Sequence, residues 1–282
     1  MENDELAARR AAALAQDSCF TKGRLRDEFR MKPAPGAEPV RWYKSPYGGR
    51  YGVYRIADCV PMRAPRPQTE KQRLASQRLS VLSRLNSSRG QQALKAHTWL
   101  RQLPLFLDTE TTGLGNQAQA LEIGLTDADG RVVFATRLRP TVAVEPEAAA
   151  VHGIDEQALR NEPSWPDVAA QLRQIIAAWP LIIFNADFDI RILKQTAAAH
   201  GDQAEWLDGL TVHCAMKLAA AYYGATNRYG TISLASAARE AALDWAGRAH
   251  SAVADARMTA RVVSVIASYY PELIQEQGRL QE

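Results

Sequence analysis

The residues from Leu105 to Leu114 constrain this chain more than any others: they read Leu-Phe-Leu-Asp-Thr-Glu-Thr-Thr-Gly-Leu, an apolar run that closes on two acids. Successive side chains of a strand point to opposite faces, so Asp108 and Glu110 share one face and Thr109 takes the other. Two carboxylates held side by side against a buried run repel, which costs stability unless a cation neutralises them or one stays protonated. Oxygen-only ligands favour hard ions, Mg²⁺ or Mn²⁺, over Zn²⁺. An isolated Asp-x-Glu is equally the solvated end of a strand, so the metal reading depends on further carboxylates elsewhere.

With 282 residues and 46% hydrophobic content the chain has the apolar side chains for a packed core and does not have the composition of a disordered protein. No run approaches the roughly 18 apolar residues of a membrane span. Met1-Glu2-Asn3-Asp4-Glu5 lacks the basic-then-apolar order of a secretory signal, so the cytoplasm is the expected location, with no membrane partner. Cys19, Cys59 and Cys214 are odd in number and make no Cys-x-x-Cys pair, which argues against a disulfide framework and a structural zinc site. The net charge of +3 conceals a split: residues 1–101 hold 20 Lys+Arg against 9 Asp+Glu, and residues 102–282 hold 14 against 22, giving +11 and −8. The basic part is expected to hold a polyanion and the acidic part cations.

Residues 2 to about 31, rich in Ala, Leu, Arg and Glu, predict a helix ended by Pro33 and Pro35, with a sparse apolar face of Leu6, Leu14, Leu25 and Phe29. In the stretch 32–67, Pro39–Lys44 and Arg50–Asp58 pair as a hairpin about Ser45-Pro46-Tyr47-Gly48-Gly49. The stretch interleaves Arg41, Trp42, Tyr43, Lys44, Tyr47, Arg50, Tyr51, Tyr54 and Arg55. That mixture serves single-stranded nucleic acid through stacking and phosphate contacts, or else the aromatics simply cover an apolar patch. Thr69 with Gln72 reads as a capping box, followed by Ala75, Leu79, Leu82 and Leu85 at near-helical spacing; a break at Ser87–Gly90 and a second helix over 91–103 complete a basic helical hairpin. Its cations, among them Arg78, Arg84, Arg89 and Lys95, are a solvated face or a phosphate-binding one.

Beyond Leu103–Thr109, Leu121–Asp127 and Arg131–Pro140 predict two more strands about Ala128-Asp129-Gly130. A helix over 166–179, a short buried strand over 181–184, and helices over 188–199, 212–223, 232–242 and 252–270 follow, so the expected class is an α/β sheet covered by helices on both faces.

Further acids do arrive. Asn185-Ala186-Asp187-Phe188-Asp189 sits where a buried strand gives way to a helix, the carboxyl end at which α/β sheets bind ligands. Asp187 and Asp189 diverge on a helix, so at most one is aimed at the metal while the other caps the helix start. His250 and Asp255 would lie about 140° apart on a continuous helix, which places His250 on the loop before it.

Asp-x-Glu at Asp108–Glu110, Asn-Ala-x-Phe-Asp at Asn185–Asp189 and His-x-x-x-x-Asp at His250–Asp255, in this order, resemble the three motifs of the DEDDh, or DnaQ-like, 3′→5′ exonucleases. Val151-His152-Gly153-Ile154, after Pro146-Glu147-Ala148, resembles a segment common in the proofreading and DNA-repair branch. The resemblance covers about residues 102–270 and implies a ribonuclease H-like mixed sheet flanked by helices. It implies that Asp108, Glu110, Asp189 and Asp255 hold two ions, Mg²⁺ or Mn²⁺, with Asp189 acting largely through water, and that His250 is the general base; a histidine with ordinary pKa near 6.5 suits that task. Thr111, Thr112, Leu114, His152 and Asn185 become substrate-binding candidates, with Leu114 a wedge against the terminal base and His152 a structural residue on the other reading. Two departures stand out: Phe184 precedes Asn185 where many relatives have His, and Asp187 adds a carboxylate near the metals.

The expected organisation is a basic extension over 1–101, made of helix, small β segment and helical hairpin, a nuclease domain over 102–275, and a tail over 276–282. The expected activity is stepwise release of nucleoside monophosphates from DNA 3′ ends, single-stranded or frayed. Alternatives are RNA 3′-end trimming and an exonuclease-fold module that recruits a protein partner through residues 1–101. Oligomeric state is left open.

Overall fold

The structure, a computed structural model, describes residues 2–46, 48–63, 68–245 and 250–281, and the chain divides into two compact units, Met1–Thr69 and Glu70–Glu282. In the first unit the helix expected over 2–31 is two helices, α1 (Glu2–Ala15) and α2 (Lys22–Phe29), separated by strand β1 (Cys19–Thr21). The break has a local cause. Asp17 takes the left-handed conformation that short polar side chains tolerate (φ 47°), and the Thr21 hydroxyl accepts the Arg24 N–H to start α2 afresh. Strands β2 (Met31–Pro33), β3 (Arg41–Lys44), β4 (Arg50–Arg55) and β5 (Cys59–Pro61) follow. β1, β4 and β3 form an antiparallel sheet in that order, and β2 pairs with β5. The expected hairpin is therefore present, with Tyr43 opposite Tyr51; Tyr47 of its turn lies outside the described residues. A small core of Leu25, Phe29, Met31, Tyr54 and Ile56 holds the unit.

The second unit opens with α3 (Glu70–Asn86) and α4 (Ser88–Leu100) and continues with β6 (Leu105–Thr111), β7 (Ala120–Thr126) and β8 (Val132–Arg137). Then come α5 (Pro146–His152), α6 (Glu156–Leu159), α7 (Trp165–Ile176), β9 (Leu181–Ile183), α8 (Ala186–Ala198), β10 (Val212–Cys214), α9 (Ala215–Tyr223), α10 (Leu234–Glu240) and α11 (Ala252–Arg279). The sheet order is β10-β9-β6-β7-β8, parallel across β10, β9 and β6 and antiparallel across β6, β7 and β8. This is the mixed, helix-flanked sheet expected. β6 feeds both layers by its period of two: Phe106 packs with Val262, Val263 and Ile266 of α11, while Leu105 and Leu107 pack with Leu172, Ile192 and Leu193.

Three elements differ from expectation. The compact units meet at Thr69 and Glu70, not at 101/102, because α4 is a core helix: Ala93, Ala96 and Trp99 are buried in the same cluster as α11. Of the expected tail, residues 276–280 are likewise tied down: α11 continues to Arg279, the Arg84 guanidinium meets Glu276 at 2.6 Å, and Arg78 donates to the Leu280 carbonyl at 2.7 Å; residue 282 lies outside the described residues. Val212–Cys214, expected as a helix start, is the edge strand β10, since three residues are too few to reveal a period. On α3 the predicted apolar face is not the buried one: Val81 is buried and Leu79 is 68% exposed. No helix among the described residues is long and apolar enough to cross a membrane.

Gly124 decides how closely α11 approaches the sheet. It pairs with Asp108 across β6 and β7, and a Cβ there would stand 2.5 Å from the Val253 nitrogen and 2.6 Å from the Ala252 carbonyl carbon. Both contacts are backbone and cannot rotate away. Gly124→Ala is expected to cost about 1–3 kcal/mol of stability by overpacking, read as a lower urea midpoint at unchanged slope; a wild-type midpoint would contradict the role given to this glycine.

Candidate active site

Asp108 and Glu110 lie on the face of β6 that α11 covers, and Asp255 stands in the first turn of α11. Oxygens of the three carboxylates all lie within 4.8 Å of one another. Ser251 caps this turn by accepting the Ala254 N–H, and Glu122, directly across from Glu110, accepts the Ala252 N–H at 3.0 Å and pairs with Arg137 at 3.2 Å. Acids at a helix N-terminus are favourably placed. Gly124 and Glu122 thus seat the helix that delivers Asp255; neither was found from sequence, because a glycine inside a strand and an acid on its far end carry no motif.

Asp189 arrives from the opposite layer. It is buried in α8, and one carboxylate oxygen accepts both the backbone N–H and the hydroxyl of Thr109, at 3.0 and 2.8 Å. It is not one of the three mutually close carboxylates, yet its charge acts on Asp108. Asp187 points elsewhere: it is exposed and paired with Lys217 at 2.8 Å, so the additional acid stays out of the cluster.

Crowding governs the electrostatics. Burial first, then the charges of Asp189, Asp255, Glu110 and Glu122, push the Asp108 carboxyl well above the usual carboxylate range. Burial, with Asp255, Glu122 and Asp189, pushes Glu110 up to about 8. Burial pushes Asp189 up to about 7 against the opposing hydrogen bonds from Thr109. Asp255 is raised by burial too, opposed by the His250 backbone N–H, which donates to Asp255 at 3.3 Å, and by the histidine's charge. His250 precedes the N-cap Ser251, as the loop placement required, and holds a left-handed backbone (φ 63°) that is uncommon outside glycine.

A pocket of about 490 Å³ opens beside the carboxylates, with Glu110, Thr111, Leu114, His152 and Phe188 in its wall. Leu114 is 75% exposed, and its loop is tied down where Arg191 and Gln195 both donate to the Gly115 carbonyl. His152 is a locked wall residue. Its Nδ1 accepts the Ile154 N–H, which leaves Nε2–H to donate to the Thr111 carbonyl at 3.2 Å, and burial lowers its pKa. Thr112 turns inward, its hydroxyl accepting the Gln119 N–H, and does not line the pocket; Asn185 is exposed at the start of α8, with its carbonyl taking the Phe188 and Asp189 N–H groups. Phe188, Glu145 and Glu147 also line the pocket; Phe188 belongs to the Asn-Ala-x-Phe-Asp motif without standing among the substrate-binding candidates, and the two glutamates carry no motif.

The family model described as Exonuclease, of the RNase T type, matches residues 105–263. An uncharacterised protein of Salmonella typhimurium, pSLT049, is 68% identical over 126 residues, covering 45% of this chain and 91% of that protein. An uncharacterised exonuclease of Escherichia phage 186, CP81, is 35% identical over 180 residues, covering 61% and 92%. The Escherichia coli DNA polymerase III subunit epsilon is 38% identical over 97 residues, covering 30% of this chain and 40% of the subunit. Among solved structures, exonuclease X in complex with 5′ overhanging duplex DNA covers 62% of this chain and 100% of its own at 24% identity and a TM-score of 0.46. The chain belongs to the exonuclease family, in its DEDDh, DnaQ-like group, and is a nuclease. The three close, half-buried carboxylates fit a hard divalent cation, in keeping with the metal dependence of the family.

The raised acids fix a sign for the pH dependence of stability. Glu110 rises from 4.5 to about 8 and Asp189 from 3.8 to about 7, so without metal the folded state retains protons that the unfolded chain has released. Their stabilising contribution is full below the unfolded values and is lost as pH rises through about 7 to 8. In EDTA the thermal midpoint is expected to be lower at about pH 8.5 than at about pH 6, with Mg²⁺ removing the difference. Equal midpoints in EDTA would contradict this electrostatic account.

Proposed function

We propose that the protein hydrolyses the 3′-terminal phosphodiester of DNA, single-stranded or frayed, releasing nucleoside 5′-monophosphates stepwise in the 3′→5′ direction. The observation that carries the reading is the junction of the Asp108–Glu110–Asp255 cluster with a pocket whose volume suits one nucleotide. Asp108, Glu110, Asp255 and, from the Thr109 side, Asp189 would hold two ions, Mg²⁺ or Mn²⁺. Bound there, such ions polarise the phosphoryl group and stabilise the attacking and leaving oxygens of an in-line displacement. The protein supplies the rest. Leu114 and Phe188 seat the terminal base and sugar, and the Thr111 carbonyl, held by His152, fixes that wall. His250, beside Asp255, accepts the proton of the attacking water, whose oxygen bonds to phosphorus; the P–O bond to the penultimate 3′ oxygen breaks, and that oxygen takes a proton from solvent and leaves as a hydroxyl. The DNA preference is supported by the Val151–Ile154 segment and by the likeness to polymerase III epsilon subunits. The cytoplasm remains the proposed location.

Asp108→Ala is expected to abolish nucleotide release from end-labelled strands with either metal present, and full activity in that variant would refute the mechanism. In wild type the rate is expected to fall on acidification, because only neutral imidazole accepts a proton, and His250→Asn is expected to lower the rate about 10²-fold or more and flatten that limb. A wild-type rate and profile would remove His250 from the role of base. Strands with the terminal sugar exchanged between deoxyribose and ribose separate the DNA reading from RNA trimming.

A further inference from the structure

The three-stranded sheet of the first unit carries a second surface that the catalytic reading does not use. Its two faces differ. Phe20 and Tyr54, opposite each other across β1 and β4, point to the side that holds Leu25, Phe29 and Ile56. By the period of two, Arg41, Tyr43 and Tyr51 point to the other side. There Tyr43 and Tyr51 are direct cross-strand partners, with ring centroids 5.7 Å apart and planes 20° from parallel, and the Arg41 guanidinium stands 5.2 Å from the Tyr43 centroid. The rings are 39% and 42% exposed. They cover no apolar patch of their own unit, since its core lies on the opposite face.

Charge identifies the occupant. The unit holds 13 Lys+Arg against 8 Asp+Glu, and among the described residues Arg41, on the same face as the two rings, forms no ion pair. Open aromatic rings beside an unneutralised cation, on a unit of net positive charge, match one polymer above others. A single-stranded nucleic acid offers a base face for each ring and a phosphate for each cation, whereas a duplex keeps its base faces stacked inside. We propose that this sheet face is a second nucleic-acid site, which binds single-stranded DNA or RNA by stacking bases on Tyr43 and Tyr51 and pairing a phosphate with Arg41. The choice of polymer rests on the nuclease reading, and the site deepens it by giving the strand a hold apart from the catalytic pocket. Stacking is sequence-tolerant, so binding is expected to be insensitive to base order and sensitive to salt.

The test uses the full chain in EDTA, so that strands are held and not cut, with fluorescein-labelled dT and rU oligomers of about 20 nucleotides read by anisotropy. Tyr43→Ala with Tyr51→Ala is expected to weaken binding about tenfold or more, while Tyr43→Phe with Tyr51→Phe, which keeps the rings, stays near wild type. Arg41→Glu is expected to weaken binding and flatten its salt dependence. The two oligomers show whether the sugar matters. Wild-type affinity in both the alanine pair and Arg41→Glu would overturn the proposal, as would a duplex that competes as well as a single strand, which would make the surface one for another partner. Should the alanine pair lose its unfolding transition, Arg41→Glu alone decides. Hydrolysis of the p-nitrophenyl ester of thymidine 5′-monophosphate, which has no strand for the sheet to hold, reads the catalytic site separately. Its absence in wild type counts against the nuclease reading, and unchanged anisotropy in the variants counts against the sheet site.

Discussion

Five carboxylates share a small, poorly solvated volume in the second unit: Asp108, Glu110, Asp255, Asp189 and Glu122. Like charges at such separations repel strongly wherever water is scarce, and the raised pKa values of Asp108, Glu110, Asp189 and Asp255 express that repulsion in the absence of a counter-ion. The fold supplies the acids from four elements, β6, β7, α8 and α11, so no local rearrangement relieves them together. What relieves them is a dication. The same crowding that makes the metal-free site costly is what prepares it to bind one, and the surrounding structure consists largely of devices that keep the acids from moving apart.

Two of those devices work on α11. Gly124 lets its first turn lie against the sheet, and Glu122 holds the Ala252 N–H, so the helix that carries Asp255 is fixed at the end where the carboxylate stands. A third works on α8, where Thr109 holds Asp189 through two hydrogen bonds from the face of β6 that Asp108 does not use. Adjacent residues of one strand therefore serve opposite layers: Asp108 belongs to the cluster and Thr109 orients the acid that approaches from behind. The strand period, which first suggested the site, also explains how helices from two layers reach it.

The candidate site is legible in the sequence because its parts are chemically marked. Asp108, Glu110, Asp189, Asp255 and His250 were found from acids at strand ends and from the order of three short motifs, and the structure brings Asp108, Glu110 and Asp255 together with Asp189 behind them. Its supports were not marked. A glycine that permits close approach looks like any strand glycine until the helix above it is known, and Glu122 looks like a surface acid. Thr112 was grouped with the pocket by its neighbours in the motif, yet the β-bulge that follows Glu110 changes the alternation there, and its hydroxyl turns to Gln119. At the level of the fold, long periodic elements were read correctly. The helix over 2–31 failed at a single left-handed residue, Asp17, which propensity does not report.

Charge was the least faithful guide, for a physical reason. The +11 of residues 1–101 becomes +5 for residues 1–69 and −2 for residues 70–282 once the helical hairpin is assigned to the second unit. Much of the hairpin's positive charge is engaged there: Arg84 with Glu276, Arg78 with the Leu280 carbonyl, and Arg89 over the rings of Tyr222 and Tyr269. Cations used to seat α11 are not available to hold phosphates. A sum over sequence counts both kinds alike, whereas affinity for a polyanion follows only those cations that reach it. By that criterion the part of the excess that matters lies in the smaller unit, where Arg41 stands beside open rings and, among the described residues, forms no ion pair.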